Sequence, residues 1–135
     1  MGYLTDGLTF NTLRQANEKR LPLFPGRSQT WDHSKWMQAL VGELGEAANL
    51  LKKLDRGDFA LDEGRERIAE ELADTAIYLD LICTYLGIDL GPAIMKKWNA
   101  DCRKHGIPLR IDAEDWHWTQ DDPSPRECDA KLPNQ

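Results

Sequence analysis

Several large protein classes are argued against by what this chain lacks. No stretch of its 135 residues approaches the apolar length of a membrane span, and the N-terminus MGYLTDGLTF shows no basic-then-apolar secretion pattern. A cytoplasmic protein without a membrane partner is expected. Cysteine is scarce: Cys83, Cys102 and Cys128 are odd in number, widely spaced and form no CxxC. His33, His105 and His117 adopt no ligand spacing with them or with one another. A disulfide framework and a zinc site are both disfavoured. There is no GxGxxG, no Walker-type phosphate loop and no internal repeat. Positive charge is also short, and the net charge of −6 opposes broad attraction to nucleic acid, leaving room for no more than a local basic patch. If the substrate is anionic, something must offset the acid.

What is present is helix after helix. Hydrophobic residues make up 41% of the chain, enough for one domain with a modest core that oligomerisation would naturally supplement. A first helix is expected over about Thr9 to Arg20, capped by Thr9. The segment LPLFPGRSQTW breaks it, because its prolines and glycine neither continue a helix nor pair well in a sheet. Asp32 or Ser34 can cap a second helix to about Leu54, ended by Arg56-Gly57-Asp58. Asp62 opens a third that reaches Leu86 and stops at Gly87. Asp89 caps a fourth, with Pro92 tolerated in its first turn and Gly106-Ile107-Pro108 ending it. The fold class is therefore all-α over residues 1–112. Residues 113–135 are polar, proline-bearing and without periodicity, an extended or disordered tail pinned by Trp116 and Trp118.

The acids carry the chemistry. At about 100° per residue, Met37, Leu40, Val41, Leu44, Ala48 and Leu51 form an apolar stripe on the second helix, flanked by Ala47, Leu50 and Leu54. Glu43 falls within that flank, and Glu46 lies just beyond it one turn on. Gly45 between them removes side-chain bulk where a metal or another backbone could approach. On the third helix Ile68, Leu72, Leu79, Ile82 and Leu86 make the main stripe, widened by Tyr78, Leu81 and Tyr85. Glu71 projects between Tyr78 and Ile82, and Asp74 between Leu81 and Tyr85. An unpaired carboxylate in apolar surroundings costs roughly several kcal/mol unless it is protonated, paired or bound to a metal. Lys or Arg partners, or exposure at the stripe edge, would satisfy any single one of them. Two matching pairs on two apolar helices point instead to oxygen ligation of a hard cation, magnesium above all. No His stands near, as a di-iron bundle with Glu-x-x-His would require.

Glu43-Leu-Gly-Glu46 followed by Glu71-Leu-Ala-Asp74 resembles the ExxE…ExxD signature of the MazG-like all-α nucleoside triphosphate pyrophosphatases, a group that includes dCTP pyrophosphatases and dimeric helical dUTPases. ALVGELGEAANLLKKL looks like that family's metal-binding helix, EELADTAIYLDLI like its partner, and KKWNADCRKHG like the basic segment that often follows. The likeness covers about residues 36 to 106. It implies magnesium, with manganese able to substitute, held by Glu43, Glu46, Glu71 and Asp74. It also implies cleavage between the α and β phosphates of a (d)NTP to give a monophosphate and pyrophosphate, a nucleotide house-cleaning activity. The implied fold is a four-helix MazG-like catalytic bundle completed by homo-oligomerisation, with an irregular C-terminal tail.

Phosphate contacts should come from cations. Lys96, Asn99 and Arg103 share a face of the fourth helix, opposite Ile94, Trp98 and Cys102, although an ordinary solvated face carries such charges too. Lys53 is a further candidate, and Lys52-Lys53 also suits the dipole at a helix C-terminus. The resemblance puts Phe24, Trp31 and Trp36 near the nucleoside, where an aromatic ring could stack on a base; core packing is the competing role for all three. A pyrimidine deoxynucleotide such as dCTP or dUTP is the first expectation on family grounds. Because the third helix is apolar around most of its circumference, a homodimer, or a tetramer of two such dimers, is the expected partner arrangement. The alternatives are a non-enzymatic helical oligomeric interaction module whose acidic pairs hold register, and a phosphohydrolase acting on other phosphates.

Overall fold

The computed structural model describes residues 7–26, 30–112 and 116–119. Among them run four α-helices, α1 (Phe10–Arg20), α2 (His33–Asp55), α3 (Leu61–Leu86) and α4 (Leu90–Lys104), then two short strands, β1 (Leu109–Ile111) and β2 (Trp116–Trp118). A 3-10 turn at Leu21–Leu23 follows α1, where Pro22 cannot continue the α-helical ladder. Residues 27–29 of the loop before α2, and residues 113–115 and 120–135 of the expected tail, lie outside the described residues. No single described helix is long and apolar enough to cross a membrane.

Local chemistry sets the helix ends. The Thr9 hydroxyl accepts the Thr12 backbone N–H at 3.0 Å, and Asp32 rather than Ser34 caps α2 by accepting the Lys35 N–H at 3.0 Å. Helix α3 starts ahead of Asp62. Its cap, Ala60, has no side-chain acceptor, so the Glu63 carboxylate reaches back to accept the Ala60 N–H at 3.2 Å. Gly87, at φ 68°, takes the left-handed conformation that lets the Ile88 N–H close on the Cys83 carbonyl at 2.8 Å. Gly64 is required for a different reason: a Cβ there would stand 2.1 Å from a ring carbon of Phe59, which lies over the start of α3.

The chain divides into two compact units, Met1–Leu90 and Gly91–Gln135. In the first, α2 and α3 pair antiparallel, with Trp36 near Tyr78 and Glu43 near Glu71. The buried core is Trp36, Leu81 and Ile82, with Leu21, Phe24, Trp31, Leu40, Ile77 and Tyr78 packed on it. The expected faces of α2 are exchanged. The flank carrying Ala47 and Leu50 is the one that buries, whereas Met37, Val41, Leu44 and Leu51 of the expected main stripe stay 43–58% exposed. On α3, Ile68, Leu81, Ile82 and Cys83 are buried while Leu61, Leu72, Leu79 and Leu86 are exposed.

Helix α1 docks on α3 through polar groups. Asp80 is wholly buried; Asn17, itself 2% exposed, donates its amide to Asp80 Oδ2 at 2.9 Å, and Arg14 Nε lies 3.4 Å from Asp80 Oδ1. Arg14 also reaches Asp89 at 3.3 Å and the Ile88 carbonyl.

In the second unit β1 and β2 pair antiparallel, Leu109 opposite Trp118, Arg110 opposite His117 and Ile111 opposite Trp116. Residues 116–118 of the expected extended or disordered tail are thus extended and pair with the segment before residue 112. The strands were missed because each is three residues long, too short for alternation to register.

Candidate metal centre

Glu43 and Glu46 lie one turn apart on α2, and Glu71 faces them from α3. One carboxylate oxygen of each lies within 4.8 Å of the other two. Glu43, Glu71 and Asp74 are half-buried and Glu46 is exposed, as expected from three acids inside apolar arcs and one beyond the edge. Glu43 is half-buried because its neighbours around the helix, Trp36, Ala47 and Leu50, are the residues that pack inside the chain. Among the described residues, no Lys or Arg forms an ion pair with any of the four; the arginine and lysine ion pairs seen use Asp58, Asp62, Asp80, Asp89 and Asp101. The account in which basic side chains satisfy the acids therefore finds no support here.

The strain is felt at Glu71. Its carboxyl is held above the usual carboxylate range, first by partial burial, then by a hydrogen bond to Glu43 and repulsion from Glu43 and Asp74; a hydrogen bond to Glu46 pulls the other way. Tyr78, one turn beyond Asp74, sits against the same charges. Burial pushes its phenol up, the charges of Glu43 and Asp74 and a hydrogen bond with Glu43 add to this, and the charge of Arg20 opposes it. An all-oxygen donor set under mutual repulsion fits a hard divalent cation. Gly45 stands clear of it: a Cβ there would meet nothing within 4 Å, so no approach within the described chain explains that glycine.

The expected phosphate and base residues fare unevenly. Lys53 is half-buried in the last turn of α2, while Lys96 and Arg103 are exposed on α4 in the second unit. Asn99 is not free to hold phosphate as expected: its amide donates to the Ile111 carbonyl at 2.8 Å and accepts the Ile111 N–H at 2.9 Å, so it braces β1. Trp36, 3% exposed, has its rings within 4.9 Å of Trp31, 5.6 Å of Tyr78 and 6.2 Å of Phe24, centroid to centroid. It is core and offers no face to a base. Phe24 and Trp31 are half-buried against it.

Two residues of α3, Tyr78 beside the centre and Asp80 in the contact with α1, had no assigned role in the sequence reading. Tyr78 carried a signal, since a phenol four residues after Asp74 shares its face. Asp80 also carried one, as a lone acid within the apolar run IYLDLIC. No protein-family model matches the chain, and no curated protein or solved structure matches it either.

Proposed function

We propose that this chain is a divalent-cation-dependent nucleoside triphosphate pyrophosphohydrolase of the MazG-like kind, acting on the cytoplasmic nucleotide pool. The observation that carries the reading is the convergence of Glu43, Glu46 and Glu71 within 4.8 Å, with no basic side chain paired to them among the described residues. Magnesium, or manganese in its place, would supply neutralisation of the triphosphate, polarisation of the phosphoryl group and a more acidic water. Glu43, Glu46 and Glu71 hold the cation. Asp74 stands one turn from Glu71, and a carboxylate of this group not engaged by metal takes the proton of the attacking water. Water adds across the α–β anhydride, giving a monophosphate and pyrophosphate.

The exposed stripe of Met37, Val41, Leu44 and Leu51 supports self-association, because apolar side chains in an unbroken row along one helix seldom face water in a stable chain. A homodimer, or a tetramer built from two, would place α2 of each chain at the interface with its carboxylates close by. On the resemblance alone, dCTP or dUTP is the first substrate to try.

A panel of canonical and modified (d)NTPs with magnesium, assayed for nucleoside monophosphate and pyrophosphate, tests the function. Activity should vanish with chelator and in Glu43→Gln. Release of orthophosphate in place of pyrophosphate would refute the assignment, and a chain inert to every nucleotide and unaffected by magnesium would favour a non-enzymatic helical module.

A further inference from the structure

We infer that Arg20 is a phosphate-contacting residue of this site, held in position by a relay through the buried side chains of Asn17 and Asp80; the inference rests on the pyrophosphohydrolase reading. Arg20 closes α1, and a cation at a helix C-terminus is ordinarily a mobile complement to the dipole. This one is fixed from two sides. Its Nη2 donates to Asn17 Oδ1 at 3.2 Å, and its guanidinium carbon lies 4.9 Å from the centroid of the Phe24 ring. Asn17 is in turn oriented by its amide bond to Asp80 Oδ2 at 2.9 Å.

The docking of α1 on α3 does not need the Arg20 arm of this relay, since Arg14 already ties α1 to Asp80, to Asp89 and to the Ile88 carbonyl. What the relay adds is a guanidinium of set orientation that makes no ion pair among the described residues. Its location follows from the ring contacts. Phe24 packs on Trp36, Trp36 on Tyr78, and Tyr78 stands one turn from Asp74 on α3. A fixed, unpaired fork of N–H donors on the flank of a carboxylate cluster suits a polyanion whose charge exceeds what bound cations neutralise, and its orientation is set before the ligand arrives.

Steady-state kinetics of the chain with magnesium and each member of the canonical and modified (d)NTP panel, dUTP included, test this. Arg20→Gln should raise KM roughly ten- to hundredfold for every nucleotide that is hydrolysed, at unchanged melting temperature. Arg20→Lys, which keeps the charge and loses the fork, should fall between, and Asn17→Ala should raise KM in the same direction although Arg20 is present. A KM within about twofold of wild type in Arg20→Gln overturns the assignment, as does a rise confined to one base, which would mark a base contact. Should Arg20→Gln fail to fold, Arg20→Lys decides, an unchanged KM overturning the assignment. A wild-type chain that hydrolyses no member of the panel overturns the function and this assignment with it, whereas wild-type turnover with indifferent Arg20 variants overturns this assignment alone.

Discussion

Replacing Asp80 by Leu should destabilise the chain severely, and the structure gives the size of the effect. The Asp80 side chain is 1% exposed and that of Arg14 13%, so the pair sits where breaking one partner leaves a charge largely desolvated, a loss of about 3–5 kcal/mol. Two features set the balance. Arg14 Nε and Asp80 Oδ1 are 3.4 Å apart without a hydrogen bond, so the contact is Coulombic, and Arg14 retains Asp89 and the Ile88 carbonyl, which lowers the cost. Against that, the Asn17 amide loses its acceptor inside the protein, which adds about 1–3 kcal/mol. A net loss of about 4 kcal/mol would consume much of a typical stability of ~5–15 kcal/mol. Urea unfolding followed by circular dichroism at one fixed protein concentration measures it, since self-association would otherwise enter the midpoint. Replacing the whole buried set with apolar residues, Asp80→Leu with Asn17→Leu and Arg14→Met, should recover most of the loss. A single-variant loss below about 1 kcal/mol, or a triple variant no better than the single, would refute the view of this network as a charge-bearing clamp.

The raised carboxyl of Glu71 fixes the sign of a pH effect: the folded chain holds that proton more tightly than the unfolded one. Metal-free stability should therefore decline as pH rises from the ordinary value of 4.5 through the raised one, and return on acidification. Thermal melts across that window should show the slope in wild type and a flatter one in Glu71→Gln; magnesium should raise the wild-type melting temperature at neutral pH and leave the variant nearly unmoved. At the other face of α2, Leu44→Lys would put a cation into both halves of the proposed two-fold contact and should weaken self-association by about two orders of magnitude, roughly 3 kcal/mol. Light scattering coupled to size exclusion reads the result, and wild type running as a stable monomer at micromolar concentration would contradict the oligomer outright.

The four helices and most of their ends were legible because local rules set them. Thr9, Asp32 and Gly87 are cap residues by side-chain chemistry or by φ. The burial order of the four acids was legible for a related reason, since position around a helix follows from spacing. Asn99 was misread because its lysine-rich surroundings suggested a phosphate grip, and nothing local announced that Ile111 would take both ends of its amide. Trp36 could have been core or base platform on sequence grounds; tertiary packing with Leu81 and Ile82 decides it. The buried relay from Asp80 to Arg20 joins residues far apart in the chain, a relation that no periodicity encodes.

The exchange of faces on α2 bears on the carboxylate trio itself. Apolar residues cover so much of this helix that a single stripe could not be singled out by strength. The longer row, Met37 to Leu51, looked like the core but faces outward in the single chain except at Leu40, and the shorter flank with Ala47 and Leu50 is the buried one. Glu43 lies within the shorter flank, which is why its carboxylate meets Glu71 and Tyr78. Had the longer row packed on α3, helix rotation would have carried Glu43 away from Glu71 and dispersed the trio. The position of the carboxylates and the exposure of the apolar row thus follow from one choice of face: the packing of α2 that gathers the acids is the packing that leaves Met37, Val41, Leu44 and Leu51 exposed on the single chain.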